Sequence, residues 1–549
     1  MTAPVHYRRL RVVRRRLGLA GFTVAVAFYC LSLTPSLLPR PWLLQGVVSG
    51  LTAAMGYGLG AAAGSLVRRL WRRTYPGATR IAWRALLAVA PLLGLLFLAL
   101  GTGWQQELRI RVGMDRMPTY DIIRIIGVSM LTFAVLVLIA RSLRLATRRL
   151  ARLLGRFVPR PIAYGIGFAV VAYLVVAFVG NSLVKNLVEV ANQTASLANG
   201  GTGPGVTVPT SPLRSGSAAS AVRWDTLGKA GRDFVALGPG RADLARFAAR
   251  PALDPIRVYV GLGSAGSVDE RAELAVRELE RTGAFDRDVL AVLTPTGTGW
   301  VDENVADSLE YMYAGNTAQV SMQYSYLPSW LSFMVDRSKV TDAASTLITA
   351  VHARWATMPT ASRPKLVLFG ESLGSYGTET TYRDLAGLAD GADGALLVGP
   401  PFANPIWRDL MAGRDPGSPV WDPVHRGDGV VDVARDSTAL RTPAAPGATV
   451  IYLQNSSDPI VWWSPELLVR PPEWLDDPRG PDVSPDMHWY PGITFWQTLV
   501  DLAFATGVPA GHGHVYGSGV VDGWAALAPP QGWTTADTVR LRALLDAPG

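Results

Sequence analysis

The sequence predicts an α-helical transmembrane domain of about five spans, followed by an α/β domain with a mainly parallel sheet and helices on both faces. Three observations predict it. The chain has 549 residues, 49% of them hydrophobic, and a mean hydropathy of +0.20, which is too long for one ordinary domain and too apolar for a wholly soluble chain. Charge is divided: of 52 Lys+Arg and 43 Asp+Glu, residues 1–190 hold 25 bases and 4 acids, leaving 27 bases and 39 acids for the rest. Beyond residue 222, short β-branched runs alternate with helical stretches, the pattern of a parallel sheet.

The first part is read from its uncharged runs. Residues 17–39, 41–67, 85–106, 125–140 and 161–184 contain no Asp, Glu, Lys or Arg. A helix needs about 20 apolar residues to cross ~30 Å of hydrocarbon, so four runs suffice, and Ile122 and Ile123 extend the shorter one if Arg124 snorkels. Nineteen arginines flank these runs on one side: Arg8, Arg9, Arg11, Arg14, Arg15 and Arg16, six between 68 and 84, and seven between 141 and 160. The other side has five: Arg40, Arg109, Arg111, Arg116 and Arg124. Positive charge is retained in the cytoplasm, so the N-terminus is expected inside and everything after Lys185 outside. With no ionisable residue inside the runs, an anchor or lipid-facing platform is expected rather than a transport path. Gly56, Gly58, Gly60 and Gly64 read as close helix packing.

The expected domains are 1–190, a transmembrane unit; 191–222, a Gly/Ser/Pro-rich linker; and 223–549, an extracytoplasmic catalytic unit. Strands are expected at 256–260, 289–294, 320–324, 365–369, 395–398 and 449–453, and helices at 268–282, 343–357 and after Gly374. The pI of 9.7 suggests a nucleic-acid partner, but the folded outer part is acidic, so none is expected. Cys30, the one cysteine, lies in an apolar run, so neither a disulfide framework nor a cysteine metal site is available, and no metal or cofactor is expected.

Chemistry enters at 370–374, Gly-Glu-Ser-Leu-Gly, after a buried-type strand and before a helix. Such a turn is so tight that side chains at 370 or 374 would collide with their neighbours, and its strain lifts the Ser372 hydroxyl above the sheet. Serine needs a base, and with this turn the partners come in the order Ser, acid, His. Asp458, after the run 450–453, is the expected acid. His6 and His352 precede the serine, His425 precedes the acid, and His488 sits in a Pro/Asp-rich stretch. His514, in a Gly-bracketed loop near the end of the chain, is therefore the expected base, with His512 as alternative base or supporting residue. Two N–H donors must meet the developing oxyanion: Leu373 is expected to give one, and the loop after the first strand, at Leu262, Gly263 or Ser264, the other.

The same loop spells G-x-G-x-x-G over 261–266, a dinucleotide fingerprint. No acid ends the following strand, and the loop is expected outside the cytoplasm, so a nicotinamide enzyme is not favoured. Residues 295–300, Pro-Thr-Gly-Thr-Gly-Trp, lack the lysine of a phosphate loop and read as a pocket wall. Trp462, Trp463, Trp474, Trp489 and Trp496 are expected to be core, or else to line an apolar cleft.

Segments 224–240 (WDTLGKAGRDFVALGPG), 293–303 (LTPTGTGWVDE) and 369–377 (FGESLGSYG) resemble the bacterial membrane-anchored α/β-hydrolases, which couple an N-terminal multi-span domain to an outer hydrolase domain. The resemblance implies the α/β-hydrolase fold and a serine hydrolase or acyltransferase with Ser372 as nucleophile. The His-Gly oxyanion motif common among hydrolases is missing. The function expected is a serine esterase in the bacterial inner membrane, acting on lipid or cell-envelope acyl esters through an acyl-enzyme. An acyltransferase would share every one of these residues, and a non-catalytic membrane platform is the alternative outside enzymology.

Overall fold

The computed structural model describes residues 17–70, 76–117, 121–177, 185–335, 337–425, 429–434 and 449–547. The tail arginines Arg8 to Arg16, Arg72, Arg73 and positions 178–184 of the last apolar run lie outside the described residues. Among the described residues, four helices are long and apolar enough to span a bilayer: α2 (Trp42–Leu70), α3 (Pro76–Arg111), α4 (Ile122–Leu154) and α5 (Arg160–Ala177). They come after α1 (Leu19–Leu31), which is apolar but has 13 residues.

The first apolar run was expected to be helical across 17–39, yet the helix stops at Leu31. Pro35 and Pro39 cannot continue it, and the hydroxyls of Ser32 and Thr34 bond the carbonyls of Tyr29 and Leu31. Gly56, Gly60 and Gly64 face α1: a Cβ on Gly60 would meet the Ala20 carbonyl oxygen and one on Gly56 that of Val24 at 2.7 Å, whereas Gly58 has nothing within 4 Å. Small residues let the two backbones touch.

Helix α6 (Lys185–Asn199) leads out of this unit. The residues after it, which belong to the expected linker 191–222, lie along the outer domain. Arg232 donates to the carbonyls of Asn199 and Gly200 and to Thr202 Oγ1, Ser215 N–H to the Arg257 carbonyl, and Val222 is buried in the core. Small polar residues read as linker composition because they contribute few apolar contacts; here backbone hydrogen bonds hold them.

Helices α7 (Gly228–Ala236) and α8 (Arg241–Ala248) precede the sheet. Its strands are β1 (Ile256–Val260), β2 (Val289–Thr294), β3 (Thr317–Met322), β4 (Lys365–Glu371), β5 (Gly394–Val398), β6 (Val431–Ala434) and β7 (Val450–Leu453), in spatial order β1-β3-β2-β4-β5-β7-β6, every pair parallel. The connecting helices α9 (Val268–Thr282), α10 (Glu303–Met312), α11 (Ser329–Val335), α12 (Ser338–Ala356), α13 (Leu373–Thr380), α14 (Leu385–Asp390) and α15 (Pro405–Gly413) lie between strands, and α16 (Pro459–Trp462), α17 (Ile493–Asp501), α18 (Val520–Leu527) and α19 (Thr535–Leu545) come after them. Helix α9 begins where Ser267 and Glu270 form a reciprocal cap. Strand β3 lies three residues before its expected start, and β6 was not expected.

Among the described residues, the outer domain touches the helical domain at the connection 32–41 between α1 and α2, at α2, where a Cβ on Gly492 would lie 3.1 Å from Met55 Cε, and near the end of α3, where Trp104 Nε1 donates to Asp486 Oδ2 at 3.0 Å. The arginine-rich connections, α2 to α3 and α4 to α5, join the opposite helix ends.

Inside the outer domain, Arg257 on β1 is fully buried and bonds Glu310 Oε1 at 2.7 Å and Asp307 Oδ1 at 2.5 Å. Breaking such a cluster strands a buried carboxylate, which typically costs about 3–5 kcal/mol. Arg257→Ala is therefore expected to lower the unfolding free energy by about that amount, read from denaturant unfolding of the solubilised full chain; an unchanged midpoint would show that the cluster is not a structural requirement.

Candidate active site

Strand β4 delivers the chain to Ser372, which adopts φ +55° and ψ −124°, a conformation that L residues rarely hold. Glycines make it possible. A Cβ on Gly374 would strike the Thr294 carbonyl oxygen of β2, and one on Gly370 would lie 2.5 Å from the Gly374 oxygen. Ser372 N–H is tied to the Val398 carbonyl at the end of β5 (2.9 Å), and Ser372 together with Leu373 lines a cleft. The strain is thus held by two neighbouring strands.

Asp458 comes after β7 and is fully buried. Its Oδ1 accepts the Ile460 N–H at 2.8 Å, and its Oδ2 accepts from His514 Nδ1 at 2.6 Å and from the Tyr516 hydroxyl at 2.8 Å. Three donors offset the cost of burying the carboxylate. The histidine's loop is fixed by its backbone: His514 N–H donates to the Ala505 carbonyl (2.7 Å), Gly513 N–H to Ser457 Oγ (2.9 Å), and the Gly513 carbonyl accepts from Asn455 Nδ2 (2.9 Å). The ring rests on Gly399, where a Cβ would meet His514 Cε1, one residue beyond the carbonyl that binds Ser372. Among the described residues His514 Nε2 is buried without a hydrogen-bond partner, and Ser372 Oγ is not bonded to it in this conformation. Serine–histidine bonds of this kind often tighten only when substrate binds.

His512 faces elsewhere. Its Nδ1 lies 3.0 Å from Asp482 Oδ2, which also accepts the Ser457 hydroxyl. The structure therefore brings His514, and not His512, to Asp458.

The electrostatics of the two imidazoles reflect these partners. Burial would lower the His514 pKa, but the charge and hydrogen bond of Asp458 and the charge of Glu371 outweigh it, and the net shift is upward from 6.5. His512 is raised by its bond to Asp482. Glu371, beside Ser372, is pushed well above the carboxylate range by burial, with Asp302 adding to the shift, and its Oε2 has no hydrogen-bond partner among the described residues. Burial also raises Asp302.

The expected oxyanion donors fare differently. Leu373 N–H stands at the first position of α13, where no intrahelical acceptor exists. Leu262 and Gly263 do not reach the site: β1 is an edge strand, with β3 and β2 between it and β4, and Leu262 N–H points to Gln323 Oε1 at 3.4 Å. The loop beside the elbow is instead 295–300, after β2. Thr296 N–H in it donates to the Trp300 carbonyl, and Gly297 N–H donates to Ser329 Oγ at 2.9 Å. Ser329 lines the same cleft as Ser372.

That cleft is apolar, walled by Phe333, Phe402, Ile460, Trp463 and Leu502, with about 30 Å³ free. A water needs roughly 10–15 Å³, so the cleft in this conformation has room for water-sized molecules and not for an acyl chain. Phe402 packs edge-on to both Phe333 and Trp463, with ring centroids 5.7 and 5.4 Å apart. Of the five tryptophans singled out in the sequence, Trp463 lines the cleft while Trp462 and Trp474 are core. Tyr516, Gly399, Asn455, Ser457 and Ser329 carry no sequence signature of their own, because their roles arise from contacts between distant segments.

Comparison with known proteins divides the chain in the same way. The profile of the family described as "Alpha/beta-hydrolase family" matches residues 256–541, and that described as "Alpha/beta-hydrolase family N-terminus" matches residues 33–239. No curated protein and no solved structure matches.

The raised His514 pKa has a definite sign. Imidazole titration followed by NMR is expected to give a midpoint above 6.5 for His514; in Asp458→Asn, where burial acts without the carboxylate, it is expected to fall below 6.5. A His514 midpoint that does not move in Asp458→Asn would contradict the pairing.

Proposed function

The chain belongs to the alpha/beta-hydrolase family, and we propose that it is a membrane-anchored serine hydrolase of acyl esters. The observation that carries this reading is the 2.6 Å bond between His514 Nδ1 and Asp458 Oδ2 beside a serine held at φ +55°. Ser372 Oγ attacks the ester carbonyl while His514 Nε2 takes its proton. Asp458 keeps the imidazole in the tautomer that presents Nε2 and stabilises the imidazolium. The proton then passes to the departing alcohol, and water, activated by the same nitrogen, releases the acid from the acyl-enzyme.

The developing oxyanion is held by Leu373 N–H and by the Ser329 hydroxyl. Gly297 N–H donates to Ser329 Oγ and leaves its proton to point into the cleft. The apolar walls suit an acyl chain, and tethering to a bilayer raises the local concentration of acylated lipid, so lipid or envelope esters are the substrate class. Contact of the outer domain with the arginine-poor side of the helices supports an extracytoplasmic catalytic face in a bacterial inner membrane.

Fluorophosphonate labelling of the solubilised full chain tests the reading. Labelling is expected in the parent and absent in Ser372→Ala; an unlabelled parent, or a labelled Ser372→Ala, would refute it. Ser329→Ala is expected to lower kcat about 10²–10³-fold with little change in KM, and an unchanged kcat would remove Ser329 from the oxyanion site. A reporter fused after Gly549 is expected to be active only outside the cytoplasm, and activity inside would reverse the orientation.

A further inference from the structure

The connection between α1 and α2 is seated inside the outer domain. Within residues 32–40, Leu37 and Leu38 are fully buried and join the large core of the α/β domain, and Ser32, Ser36 and Arg40 are at most 2% exposed. Between Pro35 and Pro39 this backbone is in no helix or strand; α17 supplies partners for several polar groups of the connection, while Gln45 of α2 donates to the Ser32 carbonyl and Gln105 Oε1 of α3 accepts the Arg40 N–H. Asp501 Oδ2 accepts the N–H groups of Leu37 (3.1 Å) and Leu38 (3.4 Å), with Arg40 Nε 3.8 Å from Oδ1. Gln497 Nε2 donates to the carbonyls of Ser32 (3.2 Å) and Thr34 (3.0 Å), and Arg40 Nη2 to the Thr34 carbonyl (3.1 Å). Neither side can be buried without the other: the loop would strand two N–H groups, and α17 a carboxylate.

Immediately beyond Asp501 the chain forms part of the active-site wall. Leu502, the next residue, lines the cleft at Ser372, and the Ala505 carbonyl accepts the backbone N–H of His514 at 2.7 Å. The loop also reaches the histidine segment from its other flank: a Cβ at Gly513 would lie 3.5 Å from Leu38 Cδ1. The short stretch 501–505 therefore holds the membrane domain at one end and the catalytic imidazole's backbone at the other.

We propose that Asp501 and Gln497 are positioning residues of the hydrolase, which hold His514 and the Leu502 wall in register only while the loop 32–40 of the membrane domain is seated on them. The proposal rests on the serine-hydrolase reading for its catalytic consequence, but not for its structural one. The membrane domain is then a working part of the site as well as an anchor. The outer domain severed from it would retain Ser372, Asp458 and His514 and misplace the imidazole.

The test uses the solubilised full chain, four variants of the contacts between the two domains, Asp458→Asn as an assignment control, and two readouts. The first readout is the second-order rate of fluorophosphonate labelling. The second, independent of activity, is the low-field proton resonance of the His514–Asp458 hydrogen bond, assigned by its loss in Asp458→Asn. Asp501→Ala is expected to slow labelling at least tenfold and to shift or broaden the resonance. Asp501→Asn, which keeps an acceptor for Leu37 and Leu38, is expected to recover part of both. Gln497→Ala is expected to lie between. Trp104→Phe, which breaks a different contact of the same two domains at exposed Asp486, is expected to match the parent in both readouts. An Asp501→Ala protein with parental labelling and an unmoved resonance overturns the proposal, as does a Trp104→Phe protein as impaired as Asp501→Ala, which would reduce the effect to loss of docking in general. If the parent does not label at all, the hydrolase reading fails, and the resonance still decides whether the loop positions the imidazole.

Discussion

The geometry depends on one close approach. At the end of β4 the chain must reverse above the sheet within van der Waals contact of β2. Gly370 and Gly374 allow this because neither carries a Cβ that would meet a neighbouring carbonyl or the backbone of the following turn. Ser372 takes up the remaining strain at φ +55°, and its N–H is fixed to the neighbouring strand by the Val398 carbonyl. Everything else at the site is arranged about that point: Gly399 lets an imidazole rest beside it, and the β2 loop and α11 close over it. A larger side chain at 370 or 374 would move Ser372 before it affected any partner.

The imidazole is held by other means. No strand or helix carries His514; it lies on a loop whose backbone groups are bonded by Ser457, Asn455 and Ala505, and whose ring is bonded by Asp458. Tyr516 gives Asp458 a second donor on the same oxygen. Precision here comes from satisfying buried polar groups, since an unmet donor or acceptor in so dry a place typically costs about 1–3 kcal/mol. The raised pKa of Glu371 has its origin in the same burial, whereas the raised His514 pKa shows the Asp458 carboxylate prevailing over it.

Much of this was legible in the sequence, for identifiable reasons. Fully buried parallel strands are continuous apolar runs, so β1, β2, β4, β5 and β7 could be located to within a residue or two of each end, and helix α9 is framed by its own cap. Strand β6 was missed because four residues interrupted by Asp432 carry too little pattern. The elbow has a local signature; chain order shortened the list of partners, the apolar run 450–453 pointed to Asp458, and the Gly-bracketed loop pointed to His514 with His512 as the alternative. The loop after β1, expected to give a second oxyanion donor, does not reach Ser372 because order along the chain is not order in the sheet: β3 and β2 separate it from β4. The connection 32–40 could not be read at all. Its uncharged residues look like the end of a membrane span, and only the fold brings Asp501 and Gln497 to its backbone.

A structure of the fluorophosphonate-treated full chain tests the central claim most directly. Phosphorus is expected bonded to Ser372 Oγ, with the phosphoryl oxygen facing Leu373 N–H and the Ser329 hydroxyl, and His514 Nε2 within hydrogen-bonding distance of the adduct. An adduct on another residue, or an imidazole that stays out of reach of the modified serine, would contradict it.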